Sequence, residues 1–235
     1  MDGTIVHSGY SRSGEFKPIA HAIIQARLGS ERLPGKMLMD LGGKPVLAHV
    51  IDRLKMCRNL HHIIVASPDK ELVQLAYDRG VWGYIDTGDP DNVLLRYIKT
   101  AGWAGSQLVV RICGDSPLLD PELVDNTLNA YVESKVDIAT NVLRRSYPKG
   151  MDVEVLHVNT LKRIYHLQNS PEYREHVTYY TYQNPGLFVF KSIYQNRDYS
   201  WLNLSIDTQL DLDKIRYMII NSGYDGTWDH QRIAK

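Results

Sequence analysis

Cysteine is nearly absent from the 235 residues: only Cys57 and Cys113 occur, and neither has a partner at metal-site or redox-motif spacing. That pattern excludes a secreted disulfide scaffold and reads as a reducing cytoplasm. Net charge is also absent, with 27 Lys and Arg against 27 Asp and Glu. No global field draws the chain to nucleic acid or to a lipid headgroup surface, so any bound anion must be held by a local cluster. No stretch approaches the roughly 20 apolar residues of a membrane span, and a soluble protein without membrane or nucleic-acid partners is expected. Residues 1–19 begin with a Gly- and Ser-rich stretch lacking a basic start and an apolar centre, and read as a flexible tail rather than a signal peptide or anchor. Internal repeats, low-complexity tracts and linkers are missing after residue 20, so residues 20–235 are expected to form a single domain.

What is present is an alternation of short apolar runs and amphipathic segments. Residues 21–26 read as a strand leading into a Gly-containing loop, and a helix follows from Pro45 with Val46, Leu47, Val50, Ile51 and Leu54 on one face. The alternation repeats as a strand at 63–66, a helix from Asp69 to near Gly80, a strand at 81–85, a helix at 90–101 and a strand at 108–112. Asp120 then reads as an N-cap with Pro121 at the first helical position. Uninterrupted apolar strands between helices imply an α/β fold with a mostly parallel sheet covered on both faces. The second half is less regular. Strands are expected at 136–140, 151–156, 187–190 and 202–206, with helices after Asn159, from Pro171 through the Tyr-rich 173–182 segment, and after Thr208. The alternation at 151–156 places Asp152 and Glu154 on one face.

The segment most informative about chemistry is Ile23-Ile24-Gln25-Ala26-Arg27-Leu28-Gly29-Ser30-Glu31-Arg32-Leu33-Pro34-Gly35-Lys36, in which three cations and two glycines follow a buried strand. Glycine lets backbone N–H groups approach phosphate oxygens, Arg supplies a planar fork and Lys a compact charge, a donor density that suits a triphosphate. It is not a Walker A loop: five residues separate Gly29 from Gly35, and Met37 stands where Ser or Thr would bind magnesium. It also lacks the dinucleotide fingerprint. Asp115 and Asp207 each follow an expected strand, so in a parallel sheet both reach the carboxyl edge, where ligands bind. Magnesium favours one or two protein carboxylates with waters and phosphate oxygens, which such a pair could supply. Either acid could instead cap a turn or a helix.

The loop resembles the signature of the sugar-acid cytidylyltransferases, and Leu33-Pro34-Gly35-Lys36 with Leu41-Gly42-Gly43-Lys44-Pro45 resembles in particular their spore coat polysaccharide F-type branch. The resemblance continues at Arg111-Ile112-Cys113-Gly114-Asp115-Ser116-Pro117-Leu118-Leu119-Asp120, at Tyr147-Pro148-Lys149-Gly150-Met151-Asp152-Val153-Glu154, at Arg174-Glu175-His176-Val177-Thr178 and at Ile206-Asp207-Thr208. It implies a Rossmann-like, three-layer α/β/α nucleotidyltransferase fold whose irregular second half serves substrate binding and dimerisation. It further implies Mg2+ as cofactor, CTP as co-substrate and transfer of CMP to a small anionic acceptor for cell-surface glycan synthesis. Asp115 and Asp207 are then the metal ligands, and Lys36, Arg27, Asp115 and Asp207 the catalytic set. Ala26, Arg27, Gly29, Ser30, Arg32, Lys36, Asp91, Arg111 and Asp115 fall to the nucleotide, and Lys149, Asp152, Glu154, Arg174 and His176 to the acceptor. Other uses of these residues stay open: Arg174 and Glu175 as an ion pair, His176 as a packed helical side chain, Asp152 and Glu154 as an exposed strand face. Lys149 departs from the family pattern where an acid is expected after Tyr147-Pro148, and the 87–92 loop is less acidic than usual. Cys113 reads as a buried thiol where a small hydroxyl residue is common.

Two alternatives remain. The acceptor could be a sugar phosphate or a phosphorylated or phosphonate-bearing alcohol, or the protein could bind nucleotide without catalysis. A sugar-nucleotide glycosyltransferase is disfavoured, because Asp211-Leu212-Asp213 falls inside an expected helix.

Overall fold

The structure, a computed structural model, describes residues 18–221, 223, 224, 226 and 232. The expected tail thus lies largely outside the described residues. In the first half, apolar runs become strands β1 (Ala20–Gln25), β2 (His62–Ser67), β3 (Trp82–Ile85) and β4 (Leu108–Cys113). Between and after them run helices α1 (Val46–Leu54), α2 (Lys70–Asp78), α3 (Val93–Ala104) and α4 (Pro121–Val132). The second half supplies β5 (Ile138–Thr140), β6 (Glu154–His157), α5 (Val158–Leu167), α6 (Pro171–Glu175), α7 (Tyr179–Gln183), β7 (Phe190–Ser192) and α8 (Gln209–Asn221). The strands form one seven-stranded sheet in the order β3-β2-β1-β4-β6-β5-β7, in which only β6 runs antiparallel to its neighbours.

Period-2 alternation gives each face its own core. Ala22 and Ile24 of β1, Val65 of β2 and Val110 and Ile112 of β4 point to the side covered by α1, α2, α4 and α8. Ile23, Ile64 and Val109 point to the side covered by α3 and α5. This is the three-layer α/β/α arrangement, and strands buried on both faces must be apolar throughout. Asp120 does cap α4, accepting from the backbone N–H groups of Glu122 and Leu123.

Several local features differ from the sequence expectation. Helix α3 starts at Val93 rather than Pro90, because the Asn92 side chain caps it by accepting from Leu95 N at 3.2 Å. Residues 151–153 precede β6 instead of belonging to it, bracketed by the buried Asn141 side chain, which donates to Met151 O and accepts from Val153 N at 2.8 Å each. β6 inserts between β4 and β5, so Glu154 is buried opposite Arg111 and is not on an exposed edge. The Tyr-rich helix is broken in two at Val177, a buried residue with φ of 52°. Tyr180 packs with buried Phe188 in the second core, whereas Tyr179 remains exposed. Residues 185–187 form a 3-10 turn, and the final strand begins only at Phe190. Residues 202–206 do not form a regular strand. Leu202, Leu204 and Ile206 are buried as alternation predicts, but the segment makes only an isolated parallel bridge between Lys149 and Asn203.

That bridge fixes two site-bearing segments against each other. Lys149 N donates to Leu202 O at 3.0 Å, and Leu204 N donates to Lys149 O at 2.8 Å. Gly150 makes the approach possible: its φ is +89°, and a Cβ there would lie 2.5 Å from Leu204 C and Ser205 N. Gly150→Ala is expected to destabilise the protein by about 2 kcal/mol or more, combining left-handed strain with a backbone clash. Urea unfolding measures this, and an unchanged midpoint would show that the 149–150 and 202–205 segments separate freely.

Candidate functional site

The loop after β1 folds back on the Leu28 carbonyl, which accepts from Ser30 N at 2.9 Å and Gly35 N at 2.8 Å. Leu28 N is anchored in turn on Asp69 Oδ2 at 2.7 Å. Gly35, at φ of 73°, turns the chain into a short 3-10 helix, Lys36–Leu38. The Ala26 and Ser30 amides are therefore already committed, Ala26 N donating to Ala66 O at 3.3 Å. Gly29 faces open space, with nothing within 4 Å of where a Cβ would stand.

Lys36 turns inward and is 5% exposed. Its ammonium donates to Asp115 Oδ2 at 2.8 Å, Ile206 O at 2.6 Å and Asp207 Oδ1 at 3.4 Å. The two acids expected to meet at the carboxyl edge therefore do meet, on one cation. Asp115 arrives just after β4. Asp207 arrives by another route than the expected strand, through Ile206 N donating to Asp115 O at 2.9 Å. Arg32 Nη2 lies 3.0 Å from Asp207 Oδ1 and Lys149 Nζ 2.9 Å from Asp207 Oδ2. Burial alone would raise the Asp207 pKa, but the Lys149 hydrogen bond and the charges of Lys36, Lys149 and Arg32 outweigh it and hold the carboxyl below its ordinary range.

Among the described residues, no cluster of three or more His, Cys, Asp or Glu side chains forms a protein-only metal cage. The Asp115 and Asp207 pair nonetheless fits magnesium, which takes few protein carboxylates and fills its shell with water and phosphate oxygens. Arg27 completes the basic cluster, its guanidinium spanning Asp91 in the 86–92 loop and Glu175 at the end of α6, the latter at 2.8 Å. The 86–92 loop is pinned by Asp86, 3% exposed, which accepts from Arg96 Nε and Lys99 Nζ at 3.2 Å each.

Beside this cluster lies a cavity of about 380 Å³ lined by Arg111, Asp152, Glu154, Glu172, His176 and Tyr182, among others. Asp152 and Glu154 do share its wall, as their spacing predicts. Asp152 is held bidentately by Arg145 at 2.6 and 3.0 Å. Glu154 accepts from both Arg111 and the Tyr182 hydroxyl. His176 is an exposed C-cap residue at the cavity rather than a packed helical side chain. Arg174 does not join them: its guanidinium lies 5.7 Å from the Tyr165 ring centre and bonds Asn169. Glu175 pairs with Arg27, not with Arg174. Lys149 sits on Asp207 and is not among the residues lining the cavity. Burial pushes the Cys113 thiol up to about 12, consistent with an inert packing role. Larger cavities of about 570 and 610 Å³ occur around Arg58 and Asn59. The first borders Pro18 and Ala20, at the amino edge of the sheet, away from the charged cluster.

Sequence reasoning missed Arg145, Glu172, Glu175 and Tyr182. Tyr182 lies at the end of the Tyr-rich 173–182 segment, which reads only as a helix. Arg145 has no periodicity to mark it, although an arginine seven residues before an acid in a loop region is a candidate partner.

A strand-loop cation cluster, two carboxylates on one ammonium and a polar cavity beside them, all on a mostly parallel sheet, define a nucleotidyltransferase-type site. The family model of the cytidylyltransferases matches residues 21–225, and the chain belongs to this family. It is 30% identical over 210 residues to the spore coat polysaccharide biosynthesis protein SpsF of Bacillus subtilis, with 86% of each chain covered. The structure of a cytidylyltransferase from Leptospira borgpetersenii matches with a TM-score of 0.87 and 26% identity, covering 92% of each chain. The structure of CMP:2-keto-3-deoxy-manno-octonic acid synthetase complexed with CTP shares the fold, with a TM-score of 0.71 at 20% identity, covering 86% of this chain and 99% of that one.

Because the folded pKa of Asp207 is depressed, the residue contributes stability above its unfolded pKa and loses it as pH falls through the folded value. Asp207→Asn should melt at a lower temperature than the wild type at neutral pH, with the difference shrinking below about pH 4, where the unfolded carboxyl protonates. A difference that persists undiminished at pH 2 would place the stabilisation elsewhere.

Proposed function

We propose that residues 20–235 act as one catalytic domain that transfers CMP from CTP to a small anionic acceptor, releasing pyrophosphate. The observation that carries this is the Lys36 ammonium, which joins Asp115 and Asp207 at the mouth of the Arg27 to Arg32 loop. Choice of CTP over other triphosphates rests on membership of the cytidylyltransferase family, whose fold also occurs in a synthetase complexed with CTP.

In the proposed reaction an acceptor oxygen forms a bond to the α-phosphorus, and the bond from that phosphorus to the bridging α,β oxygen breaks. Pyrophosphate leaves with the electron pair, and the acceptor proton passes to solvent. Lys36, Arg27 and Arg32 exchange their carboxylate partners for β- and γ-phosphate oxygens, neutralising the leaving group and aligning it for in-line attack. Asp115 and Asp207, freed by that exchange, would hold Mg2+, which supplies charge neutralisation at the α-phosphate when bound. Asp152, Glu154 and His176 line the acceptor side. Lys149, on the outer oxygen of Asp207, adds a cation between the two sides, which favours acceptors with a second negative group such as a phosphate or phosphonate as an alternative to sugar acids.

The kinship with a spore coat polysaccharide protein supports a role in supplying activated precursors for cell-surface polysaccharide. A cytoplasmic homodimer is part of the same proposal, supported by family membership and by exposed apolar residues of the second half such as Trp201, at 71%, and Tyr194, at 50%.

Purified protein incubated with Mg2+, each of the four ribonucleoside triphosphates and pooled sugar acids, sugar phosphates and phosphorylated alcohols should release pyrophosphate only with CTP. Asp115→Ala and Asp207→Ala proteins that remain folded should lose about a hundredfold or more of that rate. Tight CTP binding without release by any acceptor pool would favour a catalytically silent nucleotide-binding protein.

A further inference from the structure

Both carboxylate oxygens of Glu154 are already engaged by the protein. Its Oε2 accepts from Arg111 Nη1 and its Oε1 from the Tyr182 hydroxyl, and the residue is 1% exposed. Tyr182 is itself held, with its ring stacked on Phe190 at 5.6 Å between centres. Arg111 stands differently. Its side chain is 18% exposed and forms part of the cavity wall. Its Nε is a buried donor without a hydrogen-bond partner, so the planar fork is incompletely satisfied. Among the described residues lining this cavity, Arg111 is the only permanent cation. The other nearby positive charges are engaged: Arg145 with Asp152, and Lys149 with Asp207.

We propose that Arg111 binds the anionic group of the acceptor inside this cavity, and that Glu154 and Tyr182 are positioning residues that fix its guanidinium. This inference rests on the CTP-dependent transfer proposed above, and it moves Arg111 from the nucleotide side of the site to the acceptor side. A guanidinium held on one edge by a buried carboxylate presents its remaining donors in a fixed plane, which suits bidentate recognition of a carboxylate or phosphate. Besides Val142 and His176, the rest of the wall is acidic or hydroxyl-bearing, with Asp152, Glu172, Thr178 and Tyr179, which suits an acceptor with a polyhydroxylated body, and a cavity of about 380 Å³ accommodates one sugar-sized molecule. The buried Glu154 carboxylate is needed because a largely buried guanidinium without a counter-charge would be displaced toward solvent and lose its aim.

The test measures pyrophosphate release and separate KM values for CTP and acceptor. Probes are 3-deoxy sugar acids, each paired with its neutral methyl ester, and phosphorylated alcohols of similar size. The wild type should use an anionic acceptor and discriminate against its neutral partner, and which anion type is used tells carboxylate from phosphate recognition. Arg111→Lys should raise the acceptor KM about tenfold or more while leaving the CTP KM within about twofold. Tyr182→Phe keeps the ring and removes only the hydroxyl; it should raise the acceptor KM about three- to tenfold with kcat near the wild-type value. Should Arg111→Lys not fold, the Arg111→Met/Glu154→Gln pair removes both charges together and should erase discrimination between acid and ester. A rise in CTP KM in place of acceptor KM would overturn the assignment, as would equal use of acid and ester by the wild type. A CTP-binding wild type that uses none of these acceptors also overturns it. Absence of CTP binding by calorimetry is a different result, which removes the underlying reaction instead.

Discussion

The geometry of the site depends on one buried ammonium. Lys36 has three N–H donors and meets three acceptors: the Asp115 carboxylate, the Ile206 carbonyl and the Asp207 carboxylate. A charge this deeply buried is tolerable only when it is paired and fully hydrogen-bonded. Its satisfaction therefore ties together three stretches of chain that local structure leaves independent: the loop after β1, the end of β4 and the approach to α8. The approach to α8 is stiffened by Asp211, which accepts from Asp207 N at 3.1 Å and Thr208 N at 2.8 Å, while the Thr208 hydroxyl accepts from Asp211 N at 3.3 Å. That reciprocal capping holds Asp207 in place for Lys36, Arg32 and Lys149, so the helix start and the charge cluster reinforce each other.

The first half of the chain was legible because strands buried on both faces have no polar option, and because Asp120 and Pro121 mark a helix start by mechanisms that act within a few residues. The second half was less so. Alternating Leu202, Leu204 and Ile206 correctly reported a buried face, but burial does not distinguish a strand from an extended loop packed on the core; the difference lies in whether a neighbour offers its backbone. Here Lys149, brought close by Gly150, offers one residue of pairing and no more. Similarly, the spacing of Asp152 and Glu154 placed them on one wall, yet nothing local reveals that β6 enters between β4 and β5. That topology turns Glu154 from an exposed acid into a buried counter-ion for Arg111.

The cations of the proposed phosphate loop stand out by charge density at 26–36, but their partners do not. Arg27 pairs with Asp91 and Glu175, residues separated from it by 64 and 148 positions. Arg174 beside Glu175 looked like the natural partner on sequence alone. It instead faces Tyr165 and Asn169, because the short α6 directs neighbouring side chains to different sides.

Every named cation around the proposed triphosphate position is already partnered by a carboxylate: Arg27 by Asp91 and Glu175, Arg32 by Asp207, and Lys36 by Asp115 and Asp207. At the proposed position a nucleotide would therefore enter by exchange of partners rather than by filling a bare basic pocket. Such an arrangement keeps the unliganded cluster near neutral, in keeping with a chain that carries no net charge. It would also couple cation release to the proposed metal binding. When phosphate oxygens take Lys36, Asp115 and Asp207 lose their shared ammonium, and two adjacent carboxylates without a counter-ion repel one another. In the proposed reaction a divalent cation would relieve that repulsion, so nucleotide and metal would favour each other's binding through Lys36. Arg27 extends the coupling outward, because releasing Glu175 frees the end of α6 beside the cavity wall formed by Glu172 and His176. The displacement proposed to admit the triphosphate would thus loosen the proposed acceptor side, linking the two halves of the site through salt bridges rather than through movement of the sheet.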